Sequence, residues 1–244
     1  MTNVFQDKTK HYKKAVVLLL PFLLAACGDD DTREVIVEVE VPAEIPPPVP
    51  VSYEVTVTNL TNAQPLSPPA VVLHGDDTLW QVGEVASVEL ERIAEGGDAT
   101  DFLNQGLASS GGNGPIPPGD TQTISVTVDD VTGANLTIAT MLVNTNDAFT
   151  GISNWNLSGL EVGETYITSR PAYDSGTESN SESAATMPGP AANGEGFNAE
   201  RDDTGYISMH PGVVSADDGL SQSALSSQHK FDNPVIRIHI TRTE

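Results

Sequence analysis

The feature that most constrains this chain is a rhythm of short runs in which apolar and polar residues alternate, each closed by glycine, proline or asparagine. Tyr53-Glu54-Val55-Thr56-Val57-Thr58-Asn59 is the clearest of them. Successive side chains of an extended strand point to opposite faces, so such a run fits a strand with one face on a core and the other in water. The stretch from Asn59 to Pro69 then reads as turn and loop. Further strands are expected at Ala70–Leu73, Thr121–Val128, Leu136–Val143, Thr165–Ser169, Gly205–Met209 and Pro234–Arg242, with helix only at Val85–Ala94 and Asp98–Leu107. Many short strands with one or two short helices argue an all-β fold: a single antiparallel β-sandwich domain over residues 52–244. Two stretches are poor candidates for a packed core. Ser109–Gly114 contains only Ser, Gly and Asn, and Gly176–Arg201 is rich in small and acidic residues; a loop as long as the second is usually functional or mobile.

The N-terminal residues have a different character. Lys8, Lys10, Lys13 and Lys14 precede an uncharged run from Ala15 to Ala26 that stops at Cys27. A helix spanning a hydrocarbon core needs about 20 apolar residues, and this run is shorter and interrupted by Pro21. A charged segment followed by a short apolar one is the pattern of a secretory signal, here expected over residues 1–26. Leu24-Ala25-Ala26-Cys27 resembles the lipobox of bacterial lipoproteins, in which the thiol accepts diacylglycerol. Cys27 is the only cysteine, so it has no internal disulfide partner and is either a free thiol or lipidated. The flanking pattern favours lipid, and with it a membrane anchor. Residues 27–51 open on Gly28-Asp29-Asp30-Asp31 and carry Pro42, Pro46, Pro47, Pro48 and Pro50. They read as an acidic, proline-rich tether, with an edge strand at Val35–Val41 as the alternative.

Charge narrows the partners. The chain has a formal net charge of −23, and residues 1–26 hold four of its 11 basic residues but only Asp7 among its 34 acidic ones, so that the remainder reaches −26. Such a surface repels nucleic acid and anionic headgroups and attracts divalent cations. No Gly-x-Ser-x-Gly elbow, phosphate-cradling glycine loop or His-Glu-x-x-His pair occurs. His74, His210, His229 and His239 are scattered, which specifies no zinc site, and a hydrolase built on His74 or His210 is a remote third reading. Trp80 and Trp155 are either core residues or exposed anchors for a protein or carbohydrate partner.

Several short motifs fall in a recognisable order. They are Tyr53 to Thr61, Leu66-Ser67-Pro68-Pro69, Ile93-Ala94-Glu95-Gly96-Gly97-Asp98, Pro117-Pro118-Gly119, Met141 to Gly151, and Tyr173-Asp174-Ser175-Gly176-Thr177-Glu178. Together they resemble the spondin N-terminal domain, in the form found in bacterial secreted proteins and lipoproteins, over most of residues 53–242. The resemblance implies an antiparallel β-sandwich similar to calcium-dependent membrane-targeting domains, with a calcium ion bound by loops at one end. It implies no enzymatic activity; animal members are matrix and adhesion proteins.

Position by position, the resemblance assigns calcium to Asp147, Asp174 and Glu178. Where the animal motif has tryptophan this chain has Ala148, and Glu178 stands where the animal motif has aspartate. Asn146, Glu182 and Asp98 are supplementary candidates. The residue types suit the metal: calcium takes six to eight oxygens, and Gly176 permits a turn that lets Asp174 and Glu178 converge. The expected protein is thus a non-enzymatic, lipid-anchored module of the bacterial cell envelope, with the outer membrane favoured because Gly28 rather than aspartate follows Cys27. It would bind a protein or carbohydrate partner. The alternative is a structural or accessory envelope lipoprotein.

Overall fold

The structure is a computed structural model that describes residues 49–129 and 134–244. The signal segment, Cys27 and most of the tether lie outside these residues. In chain order the elements are β1 (Val51–Asn59), β2 (Ala70–His74), α1 (Val88–Gly96), α2 (Thr100–Leu103), β3 (Ala108–Gly111), β4 (Thr121–Val128) and β5 (Asn135–Met141). They continue with β6 (Ala148–Asn156), β7 (Thr165–Arg170), β8 (Ala172–Asp174), β9 (Ser208–Met209) and β10 (Ile236–Arg242). Two antiparallel sheets result, in the orders β4-β1-β10-β7 and β3-β2-β5-β6-β8-β9. This is the expected all-β sandwich with two short helices.

The alternating pattern of β1 buries Val51, Tyr53, Val55 and Val57 and turns Glu54 to solvent. The inward faces of β4 and β10 contribute Ile124, Val126, Ile236, Ile238 and Ile240, which meet Val71, Leu73, Leu136 and Ile138 of the second sheet in one continuous core. On the solvent face Thr56 and Thr58 pair with Thr123 and Thr121 through hydroxyl bonds of 2.8 and 2.9 Å. Such cross-strand pairs reinforce a register already set by burial.

The second sheet is covered on its other face as well. Every residue of β5 is buried, because Ala139, with Phe149 of β6, lies under α1 while Leu136 and Ile138 face the sandwich core. Leu90, Ile93 and Ala94 lie three and four residues apart and form the buried stripe of α1. Ser87 caps that helix by accepting the Leu90 N–H at 3.2 Å, and Gly97, at φ +68°, ends it by donating to the carbonyls of Arg92 and Ile93. Trp80 packs in this second core, 5.1 Å from the ring of Phe149 and 5.0 Å from that of Tyr173. Trp155 instead stacks on Tyr166 at 4.3 Å.

Gly176–Arg201 has no regular secondary structure, yet it is tied to α1 at three points. Phe197 lies 4.3 Å beneath the guanidinium of Arg92, the Asn198 N–H donates to Glu95 at 2.8 Å, and Arg201 pairs with Glu91. Ser109–Gly114 contributes no buried residue to the core, and its first residues form the edge strand β3 on β2.

Candidate metal centre

Asp147 ends the turn that leads from β5 into β6, and Asp174 is the last residue of β8. The antiparallel pairing of β6 with β8 sets Ala148 opposite Asp174, and the Ser175 N–H donates to the Asp147 carbonyl at 3.3 Å. Two carboxylates far apart in sequence are therefore neighbours at one end of the second sheet.

A third carboxylate arrives from a segment that no motif marks. After β8 the chain turns at Gly176, whose φ of +72° suits glycine, and residues 176–178 run beside residues 202–205. The Asp202 N–H donates to the Thr177 carbonyl at 3.0 Å and the Gly205 N–H to the Gly176 carbonyl at 2.9 Å. This strapping delivers Asp203. One carboxylate oxygen from each of Asp147, Asp174 and Asp203 lies within 4.8 Å of the others. Asp147 and Asp174 are buried, and Asp203 is partly exposed.

Asp147 is held by a loop folded around it. Its Oδ2 accepts from the Ser175 hydroxyl at 2.9 Å and from the N–H groups of Thr177 at 3.1 Å and Glu178 at 3.2 Å, while Oδ1 accepts from the Asn146 amide at 3.0 Å. Asp174 accepts from the Gly176 N–H at 2.8 Å and from the Asn180 amide at 2.6 Å. These donors orient the carboxylates but carry no charge. Among the described residues no lysine or arginine forms an ion pair with any of the three acids. Burial, then the Asp174 charge, drives the Asp147 carboxyl well above the ordinary carboxylate range, and burial with the same neighbour raises Asp203.

Glu178 touches the cluster through its main-chain N–H, and its carboxylate is not among the converging oxygens. It is only 6% exposed, its Oε2 has no hydrogen-bond partner among the described residues, and Glu95 is the largest charge acting on it, followed by Asp147. Burial first and then those charges push its carboxyl up to about 8. The structure brings Asp147 and Asp174 together with Asp203, and Glu178 is not one of the three converging carboxylates. Of the supplementary candidates, Asn146 donates to Asp147 and to the Glu178 carbonyl. Glu182 accepts from the N–H groups of Val214 and Ser215 and from the Ser223 hydroxyl, so it organises a different loop. Asp98 accepts the Thr100 N–H at the start of α2.

An all-oxygen donor set with converging acids and no paired cation is a site that could hold a metal ion. The histidines take no part in that set. His74 bridges the Thr137 hydroxyl at 2.8 Å and the Gly75 carbonyl at 3.1 Å, tying β2 to β5. His210 accepts the Gly212 N–H at 2.9 Å and packs on Phe231. No protein-family model matches the chain, and no curated protein matches it significantly.

Proposed function

We propose that this protein is a lipid-anchored lipoprotein of the bacterial cell envelope whose spondin-like sandwich holds calcium and serves as a non-enzymatic binding or adhesion module. The observation that carries the calcium reading is the meeting of Asp147, Asp174 and Asp203, from three separate segments, within 4.8 Å. Hard oxygen ligands of high charge density and a buried member suit calcium better than softer metals that seek nitrogen or sulfur. When bound, the ion would supply positive charge that the protein itself does not place there. It would thereby lock the turn before β6, the end of β8 and the segment before β9 into one end of the sandwich. A stiffened loop cluster is a platform on which a protein or carbohydrate could dock.

The anchor rests on the Leu24-Ala25-Ala26-Cys27 pattern and the absence of any other cysteine. A tether rich in aspartate and proline would hold the sandwich away from the bilayer. Thermal melting of the purified chain in calcium and in chelator tests the metal. A ligand that binds only the folded state raises the melting temperature by mass action, and no shift at roughly millimolar calcium removes calcium from the proposal. Protease treatment of intact cells tests display: degradation supports an adhesion module at the surface, and protection leaves an accessory role inside the envelope.

A further inference from the structure

Strand β6 runs away from the metal centre, and its far end carries an irregularity. Trp155 pairs with Leu136 and Ile152 with Ile138, so Ser153 and Asn154 together stand opposite the single residue Thr137 of β5. Asn154 absorbs the extra residue at a φ of +51°, and its N–H donates to the Thr137 hydroxyl at 2.9 Å. Side chains alternate along a strand, so without the bulge Trp155 would point away from the face of the buried Ile152. The extra residue returns it to the face of Leu136, towards the other sheet. There it stacks on Tyr166 of β7, which pairs with the inward-facing Ile240; the ring centroids are 4.3 Å apart and the planes 15° off parallel.

The stack does not seal the end of the sandwich. Both rings stay partly exposed and line an open cleft of about 380 Å³, a size usual for small-molecule sites, with Asn156, Glu164 and Thr165 around them. Asn156 is held in place: its Oδ1 accepts the Ser158 N–H at 3.0 Å and its amide donates to Asn135 at 3.1 Å. Glu164 accepts the Glu161 N–H through Oε2 at 2.9 Å, which fixes the carboxylate at the rim. Among the described residues no lysine or arginine lines the cleft. Arg242 donates instead to the carbonyls of Leu160 and Glu244, at 3.1 and 2.9 Å.

We propose that this cleft binds a neutral sugar chain. The C–H face of a pyranose ring packs on an aromatic plane, while its hydroxyl groups bond to carboxylate, amide and hydroxyl side chains at the edge. Trp155 and Tyr166 offer the plane, and Asn156, Glu164 and Thr165 offer the edge. An acidic rim on a strongly acidic chain repels uronates, sialates and phosphates, which leaves uncharged sugars. A tryptophan that only plugged the core would need a regular strand and full burial. Here a bulge with a non-glycine residue at positive φ aims a partly exposed ring into an open cleft, as bulges re-aim side chains beside functional sites. From Asp147 to Trp155 an extended strand covers about 25 Å, so the cleft lies far from the metal centre. The site rests on the reading of the chain as a binding module, but not on its calcium.

Titration calorimetry of the purified full chain tests the site, with maltotriose, cellotriose and chitotriose as neutral probes and trigalacturonic acid as the charged one, each in calcium and in chelator. At least one neutral trimer is expected to bind, equally in both media and more tightly than the charged trimer. Trp155→Ala should weaken that binding about thirtyfold, the scale of losing an aromatic anchor. Trp155→Phe, which keeps a smaller ring, and Glu164→Ala, at the exposed rim, should each weaken it severalfold. The proposal is overturned if no neutral trimer binds at up to roughly 10 mM, if the charged trimer binds best, or if a folded Trp155→Ala binds as the wild type does. Should Trp155→Ala fail to fold, unchanged binding in both Trp155→Phe and Glu164→Ala overturns it equally. Sugar binding in a chain whose melting ignores calcium leaves the cleft standing without the metal centre, and a calcium response without sugar binding removes the cleft alone.

Discussion

Arg201 holds Glu91 in a two-point pair, Nε to Oε1 at 2.9 Å and the second guanidinium nitrogen to Oε2 at 2.5 Å, although the Glu91 side chain is only 2% exposed. The pair fastens the end of the long acidic loop to the middle of α1. Removing the arginine leaves a buried carboxylate with no counter-charge. Arg201→Met should cost about 3 kcal/mol, near the lower bound for breaking a buried pair because the arginine side is partly solvated. Urea unfolding reads this directly, and Arg201→Met combined with Glu91→Met should recover most of it. A single variant within about 0.5 kcal/mol of wild type would show that the pair holds nothing in place.

Calcium at the first cluster should raise thermal stability. At a concentration a hundredfold above Kd, binding contributes about 2.7 kcal/mol, which for a domain of this size is a rise of roughly 5–10 °C. Asp203→Asn should remove most of that rise while changing the melt in chelator little, since Asp203 is the least buried of the three acids. A full calcium response in Asp203→Asn would take that residue out of the site.

How much of this was legible in the chain depends on where the physics is local. Strands β1, β4 and β7 announce themselves because one face is wet, and β10 because its apolar positions alternate. Strand β6 does not: its first five residues are buried on both faces, so alternation vanishes. Gly151 sits inside that strand, where a side chain would collide with the Ile138 carbonyl of β5, so the glycine marks close approach rather than a loop. Strand β3 pairs through its main chain at a sheet edge and needs no apolar side chain, which is why Ala108–Gly111 looks like linker. Asp147 and Asp174 were readable from motifs. Asp203 was not, because only the pairing of residues 176–178 with 202–205 brings it in, and Asp202-Asp203-Thr204-Gly205 reads as an ordinary turn with no metal signature.

Gly176 is the hinge of that pairing. Its φ of +72° disfavours any side chain, and a Cβ there would run into the main-chain carbonyl and N–H of Tyr206. Gly176→Ala should therefore cost about 3 kcal/mol from backbone strain and displaced packing. It should also weaken calcium binding, because Asp203 can no longer be held beside Asp174. Normal calcium affinity in a destabilised Gly176→Ala would separate the hinge from the metal.

Cys27 carries the anchor in the proposed function. Cys27→Ser should move the protein from the membrane fraction to the soluble fraction of lysed cells, since no other cysteine can take a lipid. Partition of the serine variant with membranes would show that something other than a thiol-linked lipid retains it.

The pH dependence in chelator follows from the raised carboxyls. Glu178 titrates at about 8 in the folded protein, against 4.5 for an ordinary glutamate, and Asp147 and Glu95 are raised as well. Between the unfolded and folded values the native state holds protons that the unfolded chain has released, so stability is greatest at the low end and falls as pH rises towards 8. Burial lowers His74 and His210, which gives an opposite slope, but that slope is spent by about pH 7, where unfolded histidine is already mostly neutral. The window from about pH 7 to 8 therefore belongs to the acids. Metal-free protein should lose stability across it by up to about 1.4 kcal/mol per proton released. Glu178→Gln should flatten that fall. Saturating calcium should flatten it too, because the ion takes over from the proton as the counter-charge. Melting curves at closely spaced pH values, with and without chelator, read both effects. A stability that rises from pH 7 to 8 in chelator would mean that Glu178 and its neighbours already have a cationic partner in the folded chain.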